Sequence, residues 1–364
     1  MIKIVENKKD IKDFVYFVQD LYSGHDKYVF PIFSALKKEL KKIVLEEKKY
    51  KAILCIEDNE IKGRLLFTFE YSKKQSKTIC YFSFFDSINE IDIVNELFNY
   101  MENDMKLQKI DYSEGTFSPY DADTRRGVLI SGFDIAPTIF TSYNYEYYGG
   151  LLEKYGYLKA IDTVSLNADV HQKSKKRLST ISKYFLRNHD VRVDSLSWKN
   201  LEKDMDDVHQ ILKVATNEIV YQDSPSIEVI AETARQMKLF INPKLIKIAR
   251  ENITNKPIGF CLVLPDFNQV FKKTKGRIRP IKIMIEKRKI TKARGTMQYI
   301  VPEYQNTGLI AHIFNSLFDE FIELGITDFE AGTMMENNPK PINAFKKFGG
   351  EIIKTYRIYG KEFK

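Results

Sequence analysis

The chain has few cysteines and histidines, which often serve as nucleophiles or metal ligands. Three cysteines and five histidines occur among its 364 residues. The cysteines form no C-x-x-C pair, and neither they nor the scattered histidines show the spacing of a metal site or of a Ser-His-Asp or Cys-His arrangement. The sequence therefore predicts no metal centre. Cys55 and Cys261 lie in apolar, strand-like runs, which predicts buried, unreactive thiols.

Long hydrophobic runs are lacking as well. No uninterrupted apolar stretch approaches the ~20 residues that a membrane-spanning helix needs. The start, MIKIVENKKDIKDF, has no apolar signal core. We therefore expect a cytoplasmic protein without a membrane partner. The hydrophobic fraction of 43% still provides for packed cores and excludes general disorder.

The charge is moderately basic, with 57 Lys and Arg against 49 Asp and Glu and a formal net charge of +8. Such an excess suits an anionic partner, for example a nucleotide cofactor or RNA. Local clusters are KKELKK (37–42), KSKKR (173–177) and KKTKGRIR (272–279). Aromatic residues do not alternate with these cations as they do in nucleic-acid stacking platforms, so the clusters are typical of solvated surfaces.

Apolar periodicity predicts the same order of elements in both halves: two helices, a hairpin, a strand, a helix, a strand, a helix and a strand. The hairpins turn at EDNE (57–60) and at Asn255–Lys256. Local phrases recur too, since LEKYGYLKAI (152–161) parallels FKKFGGEIIKT (345–355). Because one core rarely serves 364 residues, the recurrence predicts a tandem repeat of one α/β unit.

The predicted boundaries follow from this order. Residues 1–168 form a first domain, residues 169–190 a basic bridging helix or linker, and residues 191–364 a second domain.

The most informative stretch is MQYIVPEYQNTGLIAHIFNSLFDEF (297–321). A strand ends at Val301, and a polar turn from Glu303 to Thr307 leads through Gly308 into an amphipathic helix. Successive amides of such a turn, together with the helix dipole, favour binding of a pyrophosphate. The alternative is an ordinary strand–turn–helix connection whose glycine serves the turn.

The phrase VPEYQNTG resembles the coenzyme-A-binding signature of the GNAT superfamily of N-acetyltransferases. Gln305 and Gly308 match it, whereas Ile310 stands where the family has Gly or Ala. The resemblance implies acetyl-CoA, or another acyl-CoA, as cofactor. It implies that the cofactor contacts a set of positions along this stretch, Tyr299, Ile300, Val301, Gln305, Asn306, Thr307, Gly308, Leu309, Ile310 and Ala311.

The end of the chain, ENNPKPINAFKKFGGEIIKTYRIY, resembles the family's closing segment. By this resemblance Asn337 or Asn338 faces the cofactor, and Phe345 belongs to the cofactor-binding positions. Phe345 stands where the family has a tyrosine proposed to protonate the thiolate, a role that Phe345 cannot take. The motif FKKFGG is similar to the corresponding segment of the divergent Fem-like and CelD-like branch, in which two such domains are fused in bacterial proteins. The resemblance covers essentially the whole chain and implies an α/β (α+β) fold. Each of two tandem GNAT-like domains would have a mixed, mainly antiparallel sheet flanked by helices.

The corresponding turn of the first half, FFDSINEIDIV (84–94), has no glycine. It carries Asp86, Glu90 and Asp92, whose carboxylates would repel a pyrophosphate. We therefore expect the first domain not to bind coenzyme A, and to act as a structural partner or as one wall of a substrate cleft.

Polar loops supply candidates for substrate binding. SEGTFSPYDADTRRG (113–127) and SYNYEYYGG (142–150) are rich in Tyr and Arg, and the alternative for them is a packed, tyrosine-rich loop. In LPDFNQ (264–269), Asp266 and Asn268 either approach the acceptor amine or cap the turn. The candidates for gripping the substrate are Arg125, Arg126, Tyr143, Asn144, Tyr147 and Asn268.

Acyl transfer to an amine requires a neutral amine and a polarised thioester carbonyl. The backbone of residues 298–301 would polarise the carbonyl, and Glu303, Asp266 or Glu330 would accept the proton. The leading hypothesis is transfer of an acetyl group to a primary amine of a small molecule or peptide. The alternatives are a non-catalytic tandem-domain binder and a Fem-like transfer from aminoacyl-tRNA, which would be the one nucleic-acid partner.

Overall fold

The computed structural model describes residues 1–119, 126–170, 172–216, 226–236, 238 and 240–363. It divides into two compact units. Unit 1 comprises residues 1–164, 268–286 and 353–364, and unit 2 comprises residues 165–267 and 287–352. Two segments of the second half of the sequence thus belong to unit 1, a grouping that differs from the linear division predicted above.

Unit 1 is an α/β unit whose elements alternate as the sequence predicts. Its sheet order is β1-β2-β3-β4-β5-β13-β7, with β6 also paired to β13. Its strands are β1 (Ile2–Ile4), β2 (Lys51–Glu57), β3 (Glu60–Ser72), β4 (Lys77–Ser87), β5 (Tyr112–Gly115), β6 (Val128–Ser131), the first part of β7 (Leu158–Asp169) and most of β13 (Glu351–Glu362). Its helices are α1 (Lys8–Leu21), α2 (Phe33–Leu40, continued by a π-helical turn over Lys41–Glu46), α3 (Ile91–Gln108), α4 (Tyr147–Lys154), α8 (Asn268–Thr274) and α9 (Pro280–Glu286).

The sheet of unit 1 has a core on each face because its strands alternate. On β2, Ile53 and Cys55 join the core that includes residues of α3 and α4, whereas Ala52 and Leu54 join the core that includes residues of α1 and α2. This alternation is the period-2 pattern of a strand buried on both sides.

Unit 2 repeats the order of elements. Its strand order is β7-β12-β11-β10-β9-β8. Its strands are the last part of β7 together with β8 (Val191–Ser195), β9 (Ile246–Glu251), β10 (Pro257–Pro265), β11 (Lys292–Ile300) and β12 (Asp328–Met335). Its helices are α5 (Gln172–Leu186), α6 (Leu201–Ala215), α7 (Ile227–Gln236), α10 (Leu309–Leu324) and α11 (Pro339–Lys347). The predicted bridging segment therefore forms helix α5, which packs on α10 within unit 2.

Among the strand pairs whose register the structure describes, most in each unit are antiparallel, and one in each unit is parallel. The parallel pair is β4 with β5 in unit 1 and β11 with β12 in unit 2. In each case a helix, α3 or α10, connects the two strands, as a parallel connection requires. The mixed, mainly antiparallel sheet predicted for both halves is confirmed.

Candidate active site

The turn between β11 and α10 is built by backbone bonds and one side-chain pair. Val301 ends the strand, and its amide donates to the carbonyl of Ile258 at 3.0 Å. A short 3₁₀ turn over Pro302–Tyr304 follows. The Tyr304 hydroxyl donates to the Glu251 carboxylate at 2.9 Å, which fastens the turn to β9. Burial and this bond raise the pKa of Tyr304 to about 12, so the hydroxyl stays protonated.

Gly308 is the residue before α10, and its backbone conformation needs a glycine. Its φ of +103° lies in the left-handed region, which residues with a side chain avoid. A Cβ there would lie 3.4 Å from Ile181 and 3.5 Å from Phe185 of α5. Helix α5 therefore covers one side of the turn, and a ligand would approach from another side.

The amides of this turn fit an anion. Asn306, Thr307, Gly308, Ile310 and Ala311 donate to no backbone carbonyl in the part of the chain that the structure describes. Asn306 is exposed, Gln305, Thr307, Gly308 and Ile310 are half-buried, and Leu309 and Ala311 are buried. Unpaired amides at the positive end of a 16-residue helix are the geometry that binds phosphates.

A lysine missed by the sequence analysis lies beside this turn. Lys340 Nζ donates to the Gln305 side-chain oxygen at 3.3 Å, and Lys340 is exposed. It places a positive charge near the amides, which strengthens attraction for a diphosphate. Its position in the first turn of α11, one residue after Pro339, gave no motif by which sequence reasoning could have found it.

Along β11, before the chain reaches the turn, β11 and β12 diverge. Their parallel pairing runs from Lys292–Asp328 to Gly295–Ala331 and stops there, although both strands continue. A β-bulge lies at the same point, because Thr296 is the extra residue between the pairs Leu262–Met297 and Val263–Gly295. The later residues of both strands are half-buried. Beyond Gly295, the edge of β11 that faces β12 therefore has no strand partner among the described residues.

The predicted cofactor residues Tyr299 and Ile300 are the last two residues of β11, and Val301 follows them. Tyr299 and Ile300 are half-buried and remain paired with β10 on their other side. Val301 is buried and its amide is already bonded, so its backbone N–H does not face a ligand.

Phe345, which the resemblance places among the cofactor-binding positions, is buried in the structure. Its ring packs on Phe314 and Phe329, with centroids 6.0 and 5.6 Å apart. Phe345 is therefore part of the core under α11, and its contact with the cofactor stays a prediction. Asn338 precedes α11 and is exposed, and its side chain makes no capping bond.

The three candidate bases do not share one location. Glu303 lies on the turn, is 62% exposed at its side chain and has Lys256 at 3.9 Å. Asp266 is buried at the other end of β11, where its amide donates to the Lys292 carbonyl, roughly 25 Å from the turn along an extended strand. Glu330 is fully buried and lies 3.1 Å from Lys292 and 3.7 Å from Arg294.

In unit 1 the position that corresponds to the turn is filled. Asp86, near the end of β4, accepts from Arg64 at 2.6 and 2.8 Å and from the hydroxyls of Tyr22 and Tyr148 at 3.1 Å. We expected the Asp86 carboxylate to repel a phosphate. That reason is wrong, because Arg64 neutralises the Asp86 carboxylate inside the protein. Glu90 and Asp92 are exposed near the start of α3.

The predicted substrate-binding residues mostly hold loops together. Asn144 is buried, and its amide group bonds the backbone of Leu129 and Tyr145. These bonds favour the packed-loop alternative. The remaining candidates are placed as follows: Tyr143 donates to the Phe133 carbonyl, Tyr147 to that of Ser87 and Asn268 to that of Pro137, Arg126 is buried, and Arg125 lies outside the described residues.

One histidine that the sequence analysis set aside is close to the turn. His312 lies in the first turns of α10, and its Nδ1 is 2.8 Å from the Ser182 hydroxyl of α5. Burial lowers the pKa of His312 below its usual value, so the ring is neutral at physiological pH. The sequence could have pointed to His312 because it lies four residues after Gly308.

Two further observations on the described residues concern metal ions and membranes. No group of three or more His, Cys, Asp or Glu among them is arranged to bind a metal ion. Within the described ranges, no helix has the length and apolar character to cross a membrane.

The chain is similar to several known proteins. No model of a known protein family matches the chain. The chain is 22% identical, over its whole length and 95% of the relative, to Protein YghO of Escherichia coli (strain K12). It is 24% identical, over 74% of its length and 71% of the relative, to a bacterial ceramide synthase of Caulobacter vibrioides (strain NA1000 / CB15N).

A solved structure, a tandem GNAT protein from the clavulanic acid biosynthesis pathway, matches with a TM-score of 0.58 at 9% identity, over 100% of this chain and 98% of that chain. That match covers both units, in which the order of elements recurs. The chain is therefore a tandem-domain protein that carries the GNAT fold twice.

Proposed function

We propose that the protein is an acyl-CoA-dependent N-acyltransferase whose cofactor binds unit 2. The observation that carries the proposal is the turn 302–308, where amides without backbone acceptors, Gly308 and Lys340 meet at the start of α10. Their charge and direction suit the diphosphate of coenzyme A. Bound acetyl-CoA, or another acyl-CoA, would supply an acyl group activated as a thioester.

The residues of the chain would bind and orient the reactants. The amides of residues 306–311 and Lys340 would hold the diphosphate, and the edge of β11 beyond Gly295 would offer backbone groups to the rest of the cofactor. Holding an amine beside a thioester supplies a large part of the rate enhancement by proximity alone. Glu303 lies beside the proposed diphosphate site, Glu330 lies opposite Arg294, one pair before the divergence, and Asp266 lies opposite Lys292 at the start of β11. Each stays a candidate to accept the proton from the amine.

The relative named as a ceramide synthase suggests a class of acceptor. A ceramide is an amide of a long-chain amino alcohol, so we include such amphiphilic amines among the proposed acceptors, next to small-molecule and peptide amines. The later parts of β11 and β12 carry the half-buried methionines Met297, Met334 and Met335. Flexible methionine side chains adapt to apolar ligands.

The test is an assay of thiol release from acetyl-CoA and from long-chain acyl-CoA with a panel of amines. The panel contains a long-chain amino alcohol, a short primary amine and a lysine-containing peptide. Amine-dependent release that falls in Lys340→Ala would support the proposal. The absence of release with every pair, in protein that binds coenzyme A, would favour the non-catalytic binder.

A further inference from the structure

The net positive charge of the chain is concentrated in one segment. Between residues 272 and 289 there are nine Lys or Arg and one Glu, of 57 basic and 49 acidic residues in all. The remainder of the chain is therefore balanced, with 48 of each. We call residues 272–289 the basic segment. Residues 272–286 of it belong to unit 1, and three cations follow at 287–289.

The same segment exposes large apolar side chains. Helix α9 has no buried residue. Ile281 is 78% exposed, Met284 64% and Ile285 56%, and Ile278 just before the helix is 54% exposed. Elsewhere in the described residues such side chains are exposed singly or in pairs. Single exposed apolar residues are ordinary, but four within eight residues form a patch that marks an interaction surface.

The patch is held on a folded base. Val270, Phe271 and Thr274 bury one side of α8. The turn at Gly276 is fixed against α2, because the Phe33 amide donates to the Gly276 carbonyl at 3.1 Å.

Two bonds then tie α9 back to α8. Lys273 pairs with Glu286 at 2.5 Å, and Lys282 Nζ donates to the Lys273 carbonyl at 3.2 Å. The Lys273 pair also neutralises the one carboxylate of the segment. The apolar side chains are thus presented to solvent by a fixed helix.

The combination of exposed aliphatic side chains and clustered cations identifies the chemistry of the partner. Lysine and arginine stems lie along apolar surface while their charges reach phosphates, as in helices that lie in the plane of a membrane interface. The segment has no aromatic residue on which bases could stack, which argues against single-stranded RNA. A second copy of the chain would bring like charges together and be repelled.

We propose that the basic segment docks the protein on an anionic phospholipid membrane surface. Ile281, Met284 and Ile285 enter the boundary between headgroups and acyl chains, and the surrounding cations contact lipid phosphates. This replaces the expectation of no membrane partner, which concerned spanning helices alone. The inference does not depend on the proposed activity, although it would bring an amphiphilic amine within reach of the enzyme.

The test is co-sedimentation of the full chain with vesicles. One set contains phosphatidylcholine alone, and the other equal parts of phosphatidylcholine and phosphatidylglycerol. We expect binding to the anionic set that weakens with salt. Ile281→Asp and Arg279→Glu should each weaken it about tenfold.

The matched controls are Ile253→Asp, an 85% exposed isoleucine in the β9–β10 turn, and the exposed Lys199→Glu, and both should bind as the parent does. Equal binding by Ile281→Asp, or no binding by the parent, would overturn the proposal. Two other results would do so as well: a parent that binds RNA but not vesicles, and one whose self-association disappears in Ile281→Asp.

Discussion

At the scale of residues, the buried ion pair of Arg64 and Asp86 distinguishes the end of β4 from the corresponding turn of unit 2. Arg64 and Asp86 have side chains 4% and 10% exposed, and the remaining donor of Arg64 reaches the Phe14 carbonyl at 2.6 Å. Tyr148 completes the cluster by accepting from the Ser87 amide. Side chains therefore close the end of β4, whereas the end of β11 leads into an accessible turn.

Replacement of Arg64 by alanine should destabilise unit 1 strongly. It leaves the Asp86 carboxylate buried without its cation, which costs about 3–5 kcal/mol. Urea unfolding measures the change. The control is Lys62→Ala, which removes an ion pair with the exposed Glu60 and should cost far less, because water screens an exposed pair. Similar losses in the two variants would show that the Arg64 cluster is not a buried pair.

The cysteines give a second prediction at this scale. All three are free and buried, and burial raises the pKa of the Cys261 thiol to about 12. The thiolate, which is the reactive form, is then scarce at neutral pH. An Ellman's reagent assay should detect no rapid reaction in the native protein and three thiols after denaturation. Rapid labelling of the native protein would contradict the buried placement.

At the scale of elements, helix α10 decides the geometry of the site. Its first residue follows a glycine with positive φ, and its apolar face, including Phe314 and Phe321, is buried. The helix is thereby fixed in the core while its amino end stays accessible.

Gly308→Ala should lower the free energy of unfolding by about 1–2 kcal/mol, since alanine is strained at a left-handed φ. Gly150→Ala is the matched control, because Gly150 lies in α4 without a positive φ, and a Cβ added there would meet no atom within 4 Å. That change should be neutral or slightly stabilising. Thermal unfolding of both variants measures the difference, and an unaffected Gly308→Ala would contradict the assigned backbone conformation.

Much of the order of elements was predictable because local chemistry sets it. The predicted hairpin at EDNE turns at Asp58 and Asn59, whose φ of 49° and 64° suits those residue types. The short strand β6 and helices α8 and α9 were not predicted, since four to seven residues show too little periodicity.

A repeated phrase was also missed. DYSEGT (111–116) and DFEAGT (328–333) occupy the same place in the two halves, each at the strand that follows the long helix. Matching them would have strengthened the evidence for duplication, which rested on the order of elements and on the similarity of residues 152–161 to residues 345–355.

The site was predictable in part. The turn and Gly308 were found because their chemistry is local, and their role in binding stays a prediction. Lys340, the core position of Phe345 and the bonds of Asn144 depend on packing between distant segments, which no short pattern reveals.

At the scale of the whole molecule, two copies of one fold have different surfaces. Unit 1 includes the last strand and residues 268–286, which no linear division of the sequence predicts. Only unit 2 combines, among the described residues, a glycine at the helix start, accessible amides and a neighbouring lysine. One cofactor per chain is the expected stoichiometry.

The most direct test is calorimetric titration of coenzyme A into three variants and the parent. The parent and Asn89→Glu, changed at the exposed turn of unit 1, should bind one equivalent alike. Lys340→Ala should bind about tenfold more weakly, and Gly308→Glu should not bind, because a side chain is strained at the left-handed φ of Gly308 and its carboxylate adds a negative charge beside the amides proposed to hold the diphosphate. No binding by the parent, or equal affinity in Gly308→Glu, would contradict the assignment of the cofactor to this turn.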